Sequence, residues 1–369
     1  MRSILVTGAA GFIGAHVARA LAQRGLRVTA CDNFNAYYDP QLKQARVQHL
    51  LWPAGVNVAH VDLTDVAQTQ RLVDTSGAEV VLHLAAQAGV RHSVERPMDC
   101  VQANLMGFGS VLEACRTVGI GHLLYASSSS VYGHRAGAGE QGARPFSEDD
   151  RVDRPASFYA ATKMANEAMA YATARVHGLP VTGLRFFTVY GPWGRPDMAC
   201  WLFAERILGG RPIRVFGRGE LMRDYTYVAD TVEAVCRLVE RGAPAPDAQG
   251  VPIETFNVGH SLPMTVNELV AGLEAAIGRP ALIEYAPMQA GDVPHTESDP
   301  ARLRAAIGDW SRTPMADGLG EFVQWLRWWQ QRSDAVPSLM SSMPAPLSSM
   351  PSISATPSRA LAPALAQAA

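Results

Sequence analysis

No two cysteines in this chain stand at a metal-binding or redox spacing. Cys31, Cys100, Cys115, Cys200 and Cys236 are scattered, and none of the ten histidines clusters with them. That argues against a zinc site or a redox pair, so the thiols read as reduced and mostly buried, and no metal is expected. Charge of one sign is also missing. The formal net charge is only −2, which supplies no overall basic field for nucleic acid or an anionic membrane. No apolar run reaches the roughly 18 residues a membrane span requires, and no charged-then-apolar leader precedes the first strand pattern at Ser3. The expectation is a cytosolic enzyme whose partner is a small molecule, with no nucleic acid and no membrane. What the chain does have is 369 residues, 48% of them hydrophobic, enough to bury more than one ordinary domain core.

The amino-terminal pattern is an apolar strand, Ser3 to Thr7, then Gly8-Ala9-Ala10-Gly11-Phe12-Ile13-Gly14, then helical spacing through Leu21. Glycine is needed where the backbone turns with positive φ and where a pyrophosphate approaches amides at a helix N-terminus. A second strand, Arg27 to Cys31, ends at Asp32, eighteen residues past Gly14, close to where a ribose-binding acid is expected. An acid facing the 2'-hydroxyl repels a 2'-phosphate, which favours NAD over NADP.

Strand and helix patterns then alternate: Val56 to Val61, a helix near Val66 to Leu72, Glu79 to Leu84, a long helix from about Met98 to Val118, and Leu123 to Ser127. This is the rhythm of an α/β fold with a doubly wound parallel sheet. Ligands of such sheets sit beyond the carboxyl ends of the strands, so Asp62-Leu63, Leu84-Ala85-Ala86 and Ser127-Ser128-Ser129-Ser130 are candidate lining residues. Ser157-Phe158-Tyr159-Ala160-Ala161-Thr162-Lys163 sets a phenol and an ammonium four residues apart at a helix start, hence on one face. An ammonium beside the hydroxyl favours the phenolate. Bringing a tyrosine from about 10 to near 7 takes about three units, or roughly 4 kcal/mol, and produces a general base for an alcohol at neutral pH.

Together, Thr-Gly-x-x-Gly-x-x-Gly, the serine run before Val131-Tyr132-Gly133, and Tyr-x-x-x-Lys resemble the extended short-chain dehydrogenase/reductase family of nucleotide-sugar enzymes. Further stretches are similar to its UDP-glucuronate 4-epimerase branch. They are Asn33 to Pro40, Ala85 to Arg91, Arg185-Phe186-Phe187-Thr188 through Met198, and Met288-Gln289-Ala290-Gly291-Asp292-Val293-Pro294. The resemblance covers roughly residues 1 to 330. It implies a Rossmann-type sheet over 1–187 with a returning segment at about 224–258, and a smaller interleaved UDP-sugar domain formed by 188–223 and 259–332.

The resemblance also implies roles. Tyr159 takes the proton of the sugar 4'-hydroxyl while C4' gives hydride to a tightly held NAD; the 4'-keto sugar turns over and is reduced on its other face. Ser128 holds the 4'-oxygen, and Lys163 tunes the tyrosine and binds the nicotinamide ribose. Cofactor positions are Gly8, Gly11, Phe12, Ile13, Gly14, Asp32, Asn33, Asp62, Leu63, Leu84, Ala85, Ala86, Asn104, Ser127, Tyr159, Lys163 and Phe186. Substrate positions are Arg91, Ser128, Ser129, Ser130, Tyr159, Thr188, Arg195, Val215, Arg223, Gln289 and Asp292. Arg223 is the diphosphate arginine by this resemblance, or else a solvated loop charge. Galactose-type epimerases carry a second arginine where this chain has Gln289, and asparagine where it has Thr188, an exchange suited to a sugar carboxylate. Related 4,6-dehydratases carry Asp-Glu before Val-Tyr-Gly and decarboxylating UDP-xylose synthases a Glu there; this chain has Ser129-Ser130. The resemblance implies a homodimer through the helices near Met98 to Val118 and Phe158 to His177, with Met164, Met169, Tyr171 and Val176 as apolar candidates. Other UDP-sugar enzymes of this fold, a net dehydrogenase and a non-catalytic NAD-binding regulator stay open, the last disfavoured by Tyr159 and Lys163.

Strand spacing at Val181 to Phe186 and helical spacing at Ala199 to Leu208 and Val266 to Ile277 continue the second half. Trp325, Trp328 and Trp329 are expected to pack the last helix. Residues 333–369, rich in Ser, Pro, Ala and Met, read as a disordered extension without chemistry.

Overall fold

The computed structural model describes residues 2–134, 144–288 and 291–332. Gln289 and the 333–369 extension lie outside the described residues. The first half runs β1 (Ser3–Thr7), α1 (Phe12–Gln23), β2 (Arg27–Asp32), α2 (Pro40–Arg46), β3 (Val58–His60), α3 (Val66–Ser76), β4 (Val80–His83), α4 (Val90–Glu95), α5 (Pro97–Cys100), α6 (Gly107–Val118), β5 (His122–Ser128) and α7 (Phe158–His177). The second half runs β6 (Val181–Phe186), β7 (Thr188–Tyr190), α8 (Ala199–Leu208), β8 (Ile213–Phe216), β9 (Met222–Tyr227), α9 (Val228–Arg241), β10 (Ile253–Val258), β11 (Pro263–Thr265), α10 (Val266–Ile277), β12 (Ile283–Ala286), α11 (Ala301–Ile307) and α12 (Met315–Gln331).

Seven strands form one sheet in the order β10-β6-β5-β4-β1-β2-β3, with every pairing parallel. A parallel sheet covered on both faces needs apolar residues on both, and all five residues of β1 and all six of β6 are buried. Alternate residues divide between two cores. Ile4, Val6, Leu82, Leu124 and Leu184 face α1 and α9, while Leu5, Val81, Leu123 and Val181 face α3, α6 and α7. Strand order reverses between β1 and β4, so the crevice at the carboxyl ends of β1, β4 and β5 is where a ligand of this fold sits.

The helices begin and end where local chemistry directs. Asp65 caps α3 by accepting from Gln68 N at 2.9 Å, and Ser157 caps α7 by accepting from Ala160 N at 3.1 Å. Between α5 and α6 the backbone stays helical through a π-type stretch, Val101–Met106, which makes one long element of the expected Met98 to Val118 helix and turns Asn104 inward.

The chain leaves the main sheet at Phe187, whose amide bonds Val258 O at 3.1 Å, and enters a three-stranded sheet ordered β11-β9-β7. β9 lies in that small sheet, so of the expected returning segment 224–258 it is α9 and β10 that rejoin the large one. A second small sheet pairs β8 with β12. The last helix closes the lower core with Trp325, packed 5.3 Å from Trp193 and 5.1 Å from Trp201. Trp328 and Trp329 also pack against Trp193, as helix-packing residues do.

One side chain ties the two halves. Arg46, fully buried on α2, donates from Nε to Trp193 O at 3.0 Å, from NH1 to Ala10 O at 3.0 Å and from NH2 to Gly194 O at 2.9 Å. The His16 ring meets the preceding carbonyl, Pro192 O, at 3.0 Å. Three consecutive carbonyls are thus fastened to the glycine turn and the helices beside it. Trp193 itself sits at φ +63°, a left-handed conformation that persists in a bulky residue only when its surroundings fix it.

Candidate active site

The glycine turn is shaped by what a side chain would hit. A Cβ on Gly14 would lie 2.1 Å from Gly8 O, and one on Gly8 would lie 2.6 Å from Ala85 N, both immovable backbone. Gly8 also has φ +69°. Gly11 leads α1 with no side-chain cap, and no acidic residue stands in the first turn, so the first amides of the helix are left for an anion. That cradle fits a dinucleotide pyrophosphate. Gly8, Gly11, Phe12, Ile13 and Gly14 line a cavity of about 900 Å³ over the crevice.

Asp32 and Asn33, at the end of β2, line the same cavity with Asp62 and Leu63 after β3 and Leu84, Ala85 and Ala86 after β4. The Asp32 carboxylate accepts from Ala10 N at 3.1 Å and Phe34 N at 2.8 Å, and Lys43 Nζ lies 3.9 Å away. Burial pushes the Lys43 ammonium down, with Asp32 opposing that. Lys43 was not among the sequence candidates. Asp32→Ala is expected to loosen NAD by about ten- to a hundredfold, the worth of hydrogen bonds to a charged group, and to narrow the preference against NADP. Cofactor content after purification checks this, and unchanged content means that Asp32 does not face the ribose.

At the far end of the cavity stand Ser127, Ser128, Ser129, Ser130, Tyr159, Lys163 and Phe186. Tyr159 lines the cavity beside Ser128, whose Oγ accepts from Ser130 N at 3.2 Å and Ser130 Oγ at 2.9 Å. Lys163 does not reach the phenol. Its Nζ donates to Ala126 O at 2.8 Å and lies 6.0 Å from the Tyr159 ring centre. Burial holds the Tyr159 hydroxyl above its ordinary range; Arg195 and the Ser128 hydroxyl pull it down, and the Cys100 thiol pushes it up. The expectation of a lysine-lowered phenol therefore needs correction: the Lys163 ammonium is held by the Ala126 carbonyl, and burial leaves the phenol raised. Burial brings Lys163 itself down to about 8, so it still carries its proton at pH 7.

Glu167 completes a stripe with Tyr159 and Lys163 at four-residue spacing on α7. It receives Ser127 Oγ at 2.6 Å and a two-point grip from Arg185, 2.9 Å from Nε and 2.8 Å from NH2. The repeat of four was present in the sequence and could have identified it. Asn104 is placed differently from its expected cofactor position. Almost wholly buried, it accepts from Gln87 N at 2.8 Å and donates to Gln87 O at 3.1 Å and Thr162 Oγ1 at 3.0 Å. It braces the loop after β4 against α7 and does not line the cavity.

A second cavity of about 520 Å³ shares Thr188, Arg195, Arg223 and Asp292 with the first and adds Arg91, Arg206, Arg214 and Glu284. Arg91 lies over the Phe216 ring at 5.2 Å and Arg214 over it at 5.6 Å. Arg223 NH2 stands 3.8 Å from Asp292 and is mostly covered, so it is not a solvated loop charge. Five arginines against a few carboxylates make this cavity a site for an anion. Val215 does not line it. On β8, alternation sends Ile213 and Val215 into the core and leaves Arg214 and Phe216 facing the cavity. Asp224, beside Arg223, is fully buried. It accepts from Ser298 N at 3.0 Å, Ser261 N at 3.1 Å and His260 N at 3.3 Å, fixing β9 to the loops around it.

Residues 4–259 match the family described as NAD dependent epimerase/dehydratase. The chain belongs to that family. Within the family it is 42% identical over 332 residues to a probable UDP-glucuronate 4-epimerase of Rhizobium meliloti (strain 1021), covering 87% of this chain and 96% of the relative. It is also 42% identical over 333 residues to UDP-glucuronate 4-epimerase 1 of Arabidopsis thaliana, covering 88% and 76%. Among solved structures of the family, it is similar to the UDP-glucuronic acid 4-epimerase of Bacillus cereus in complex with UDP-glucuronic acid and NAD, with a TM-score of 0.79, 28% identity, and 89% and 99% of the two chains covered.

Proposed function

We propose that this protein is an NAD-dependent isomerase that inverts C4' of UDP-glucuronate to give UDP-galacturonate. The observation that carries the reading is the placement of Tyr159 and Ser128 in a glycine-lined dinucleotide cavity that shares Thr188, Arg195 and Arg223 with an arginine-lined anion cavity. Bound NAD supplies the hydride acceptor and donor. The chain's own residues do the rest. Gly8, Gly11 and Gly14 let the pyrophosphate approach the α1 amides, Asp32 receives the ribose hydroxyls, and Lys163 faces the second ribose. Arg223 and Arg91 hold the UDP diphosphate. Ser128 orients the sugar 4'-oxygen, and Tyr159 takes its proton and later returns it. Thr188 and Arg195 take the carboxylate.

Ser129 and Ser130 supply no carboxylic acid beside the 4'-position, so no group there moves a second proton, and reversible oxidation is the outcome. The test is to incubate the purified protein with UDP-glucuronate and no added NAD, then resolve UDP-galacturonate from UDP-xylose. UDP-galacturonate is expected; UDP-xylose, or stoichiometric NADH in solution, would sink the reading.

The small sheets and the segments 188–223 and 259–332 form the UDP-sugar side of the site, and 1–187 the NAD side. No described helix is long and apolar enough to cross a membrane. A homodimer completes the proposal. Tyr171 and Val176 on α7, and Val94, Met98 and Met106 on the neighbouring helices, are exposed apolar residues. Met164 and Met169 instead pack inward against the cores. Light scattering at micromolar concentration should give twice the chain mass; a monomer rules the dimer out.

A further inference from the structure

Ser127, Arg185 and Asn257 stand abreast on β5, β6 and β10, because the parallel register pairs Ser127 with Arg185 and Arg185 with Asn257. The Glu167 carboxylate on α7 meets the first two together, taking Ser127 Oγ at 2.6 Å and the Nε and NH2 of Arg185 at 2.9 and 2.8 Å. The third nitrogen of Arg185 goes elsewhere. Its NH1 donates to the Tyr132 hydroxyl at 2.9 Å and to Glu148 O at 3.3 Å, and the Tyr132 hydroxyl donates in turn to Asn257 Oδ1 at 2.6 Å. Tyr132 closes the single helical turn Ser129–Tyr132 that follows Ser128. The Glu167–Arg185 pair therefore grips the chain just before Ser128 and again at Tyr132, and the segment between them is the serine run. Lys163, one turn earlier on α7, adds a hold on Ala126 O at 2.8 Å. Two consecutive residues at the end of β5 are thus fastened to the helix that carries Tyr159.

We propose that the Glu167–Arg185 pair is the positioning device of this site: it brackets the serine run between Ser127 and Tyr132 and so fixes where Ser128 stands relative to Tyr159. The proposal rests on the reading above, in which Ser128 orients the sugar 4'-oxygen and Tyr159 moves its proton. Ser128 and Tyr159 line the cavity, whereas Glu167, Arg185 and Tyr132 do not, so the pair acts through Ser128 and not on the sugar. A mostly buried ion pair is a poor choice for stability alone, since two apolar residues of similar size fill such a place at little cost. What the pair supplies is direction. A planar guanidinium with two nitrogens fixed on one carboxylate cannot swing its third, so the hold on Tyr132 is set by the hold on Ser127.

A pair that only holds the fold and a pair that aims Ser128 predict different results. In the first case turnover falls only as far as the folded fraction falls, and restoring stability restores turnover. In the second, turnover falls in a fully folded protein, and the loss disappears once residue 128 has no hydroxyl to aim.

The experiment measures kcat and KM for UDP-glucuronate, with melting temperature and NAD content, in the full-length enzyme, Tyr132→Phe, Ser127→Ala and the double variant Glu167→Met/Arg185→Met. Each is made with and without Ser128→Ala. Tyr132→Phe keeps the ring stacked on Phe146 at 4.5 Å and removes one hydroxyl. The double methionine variant removes both charges together, so neither is left buried alone. Expected is a kcat about three- to tenfold lower in each hydroxyl variant and about ten- to a hundredfold lower in the double methionine variant, with KM, NAD content and melting temperature held. In the Ser128→Ala background each loss shrinks to less than about twofold. If the double methionine variant does not fold, the two hydroxyl variants decide. Losses that multiply with that of Ser128→Ala, a raised KM with kcat unchanged, or normal turnover in the hydroxyl variants each overturn the proposal. Ser128→Ala alone tests the reading beneath. Normal turnover there means that Ser128 does not hold the 4'-oxygen and the functional reading has failed at that residue, whereas a slow Ser128→Ala beside unaffected Tyr132→Phe and Ser127→Ala removes the positioning role alone.

Discussion

Tyr159→Phe is expected to lower turnover by at least ~10²- to 10⁴-fold, the range for one acid-base group, while NAD stays bound. Phenylalanine keeps the ring and removes only the phenol oxygen, so α7 and its cap at Ser157 are undisturbed. No neighbour can substitute. Lys163 is committed to Ala126 O and holds its proton at neutral pH, and the Cys100 thiol is itself pushed up by burial. The sign of the pH dependence follows. A base must be deprotonated to act, and burial raises this phenol, so kcat in the wild type rises with pH through the tyrosine's titration. In the phenylalanine variant that rise is absent. Turnover of UDP-glucuronate, with co-purified NAD as the control, checks both, and near-normal turnover would overturn the assignment.

The second large effect is a change of product. A 4'-keto glucuronate is a β-keto acid, which loses carbon dioxide when its carboxylate bond lies parallel to the ketone π-system. An epimerase has to hold that group in an unproductive orientation while the ring turns over, so place and angle count for more than binding strength. Arg195→Ala is expected to raise the ratio of decarboxylated product to UDP-galacturonate by roughly ten- to a hundredfold, the worth of a charge-assisted hydrogen bond. The structure narrows how Arg195 can act. Its Nε and NH2 are already on Asp197, so a carboxylate meets the NH1 side of the guanidinium, with the Thr188 hydroxyl as its partner in the cavity. Chromatographic partitioning with carbon dioxide release as a cross-check measures this. A slow variant that still yields only the epimer would move the restraint to Thr188, the serine run or Arg91.

What was legible in the sequence was local. The glycine turn, the acid ending β2, the serine run after β5 and the Tyr159–Lys163 pair each carry their signal within one short stretch of chain, and each lies at the crevice that strand order creates. What was not legible depends on partners far along the chain. Arg46 meets carbonyls more than a hundred residues away, and Tyr37 reaches Asp197 across the cleft. Tyr37 belongs to a stretch that carries the resemblance and Arg46 lies just beyond it, yet nothing in their spacing says what they touch. Val215 was a different error. Strand alternation alone assigns the exposed face of β8 to Arg214 and Phe216. The phenol's environment was missed because proximity in a helix, Tyr159 to Lys163, suggested the ammonium, while the fold turns that ammonium to the Ala126 carbonyl and buries the phenol.

Arg46 has carbonyl and phenolic oxygens as its hydrogen-bond partners: Ala10 O, Trp193 O, Gly194 O and the Tyr38 hydroxyl. Its value lies in direction more than in charge. Those oxygens are met by three different nitrogens, and only a flat group with several fixed N–H bonds can address them together. Lysine would keep the charge but is shorter and gathers its three N–H bonds on one nitrogen, which cannot reach four oxygens met by three separate nitrogens and would leave a buried carbonyl without a donor. Position 46 is therefore closed to the commonest conservative exchange. In a library of variants selected for activity, it should behave like the turn glycines, as a site set by geometry and indifferent to charge.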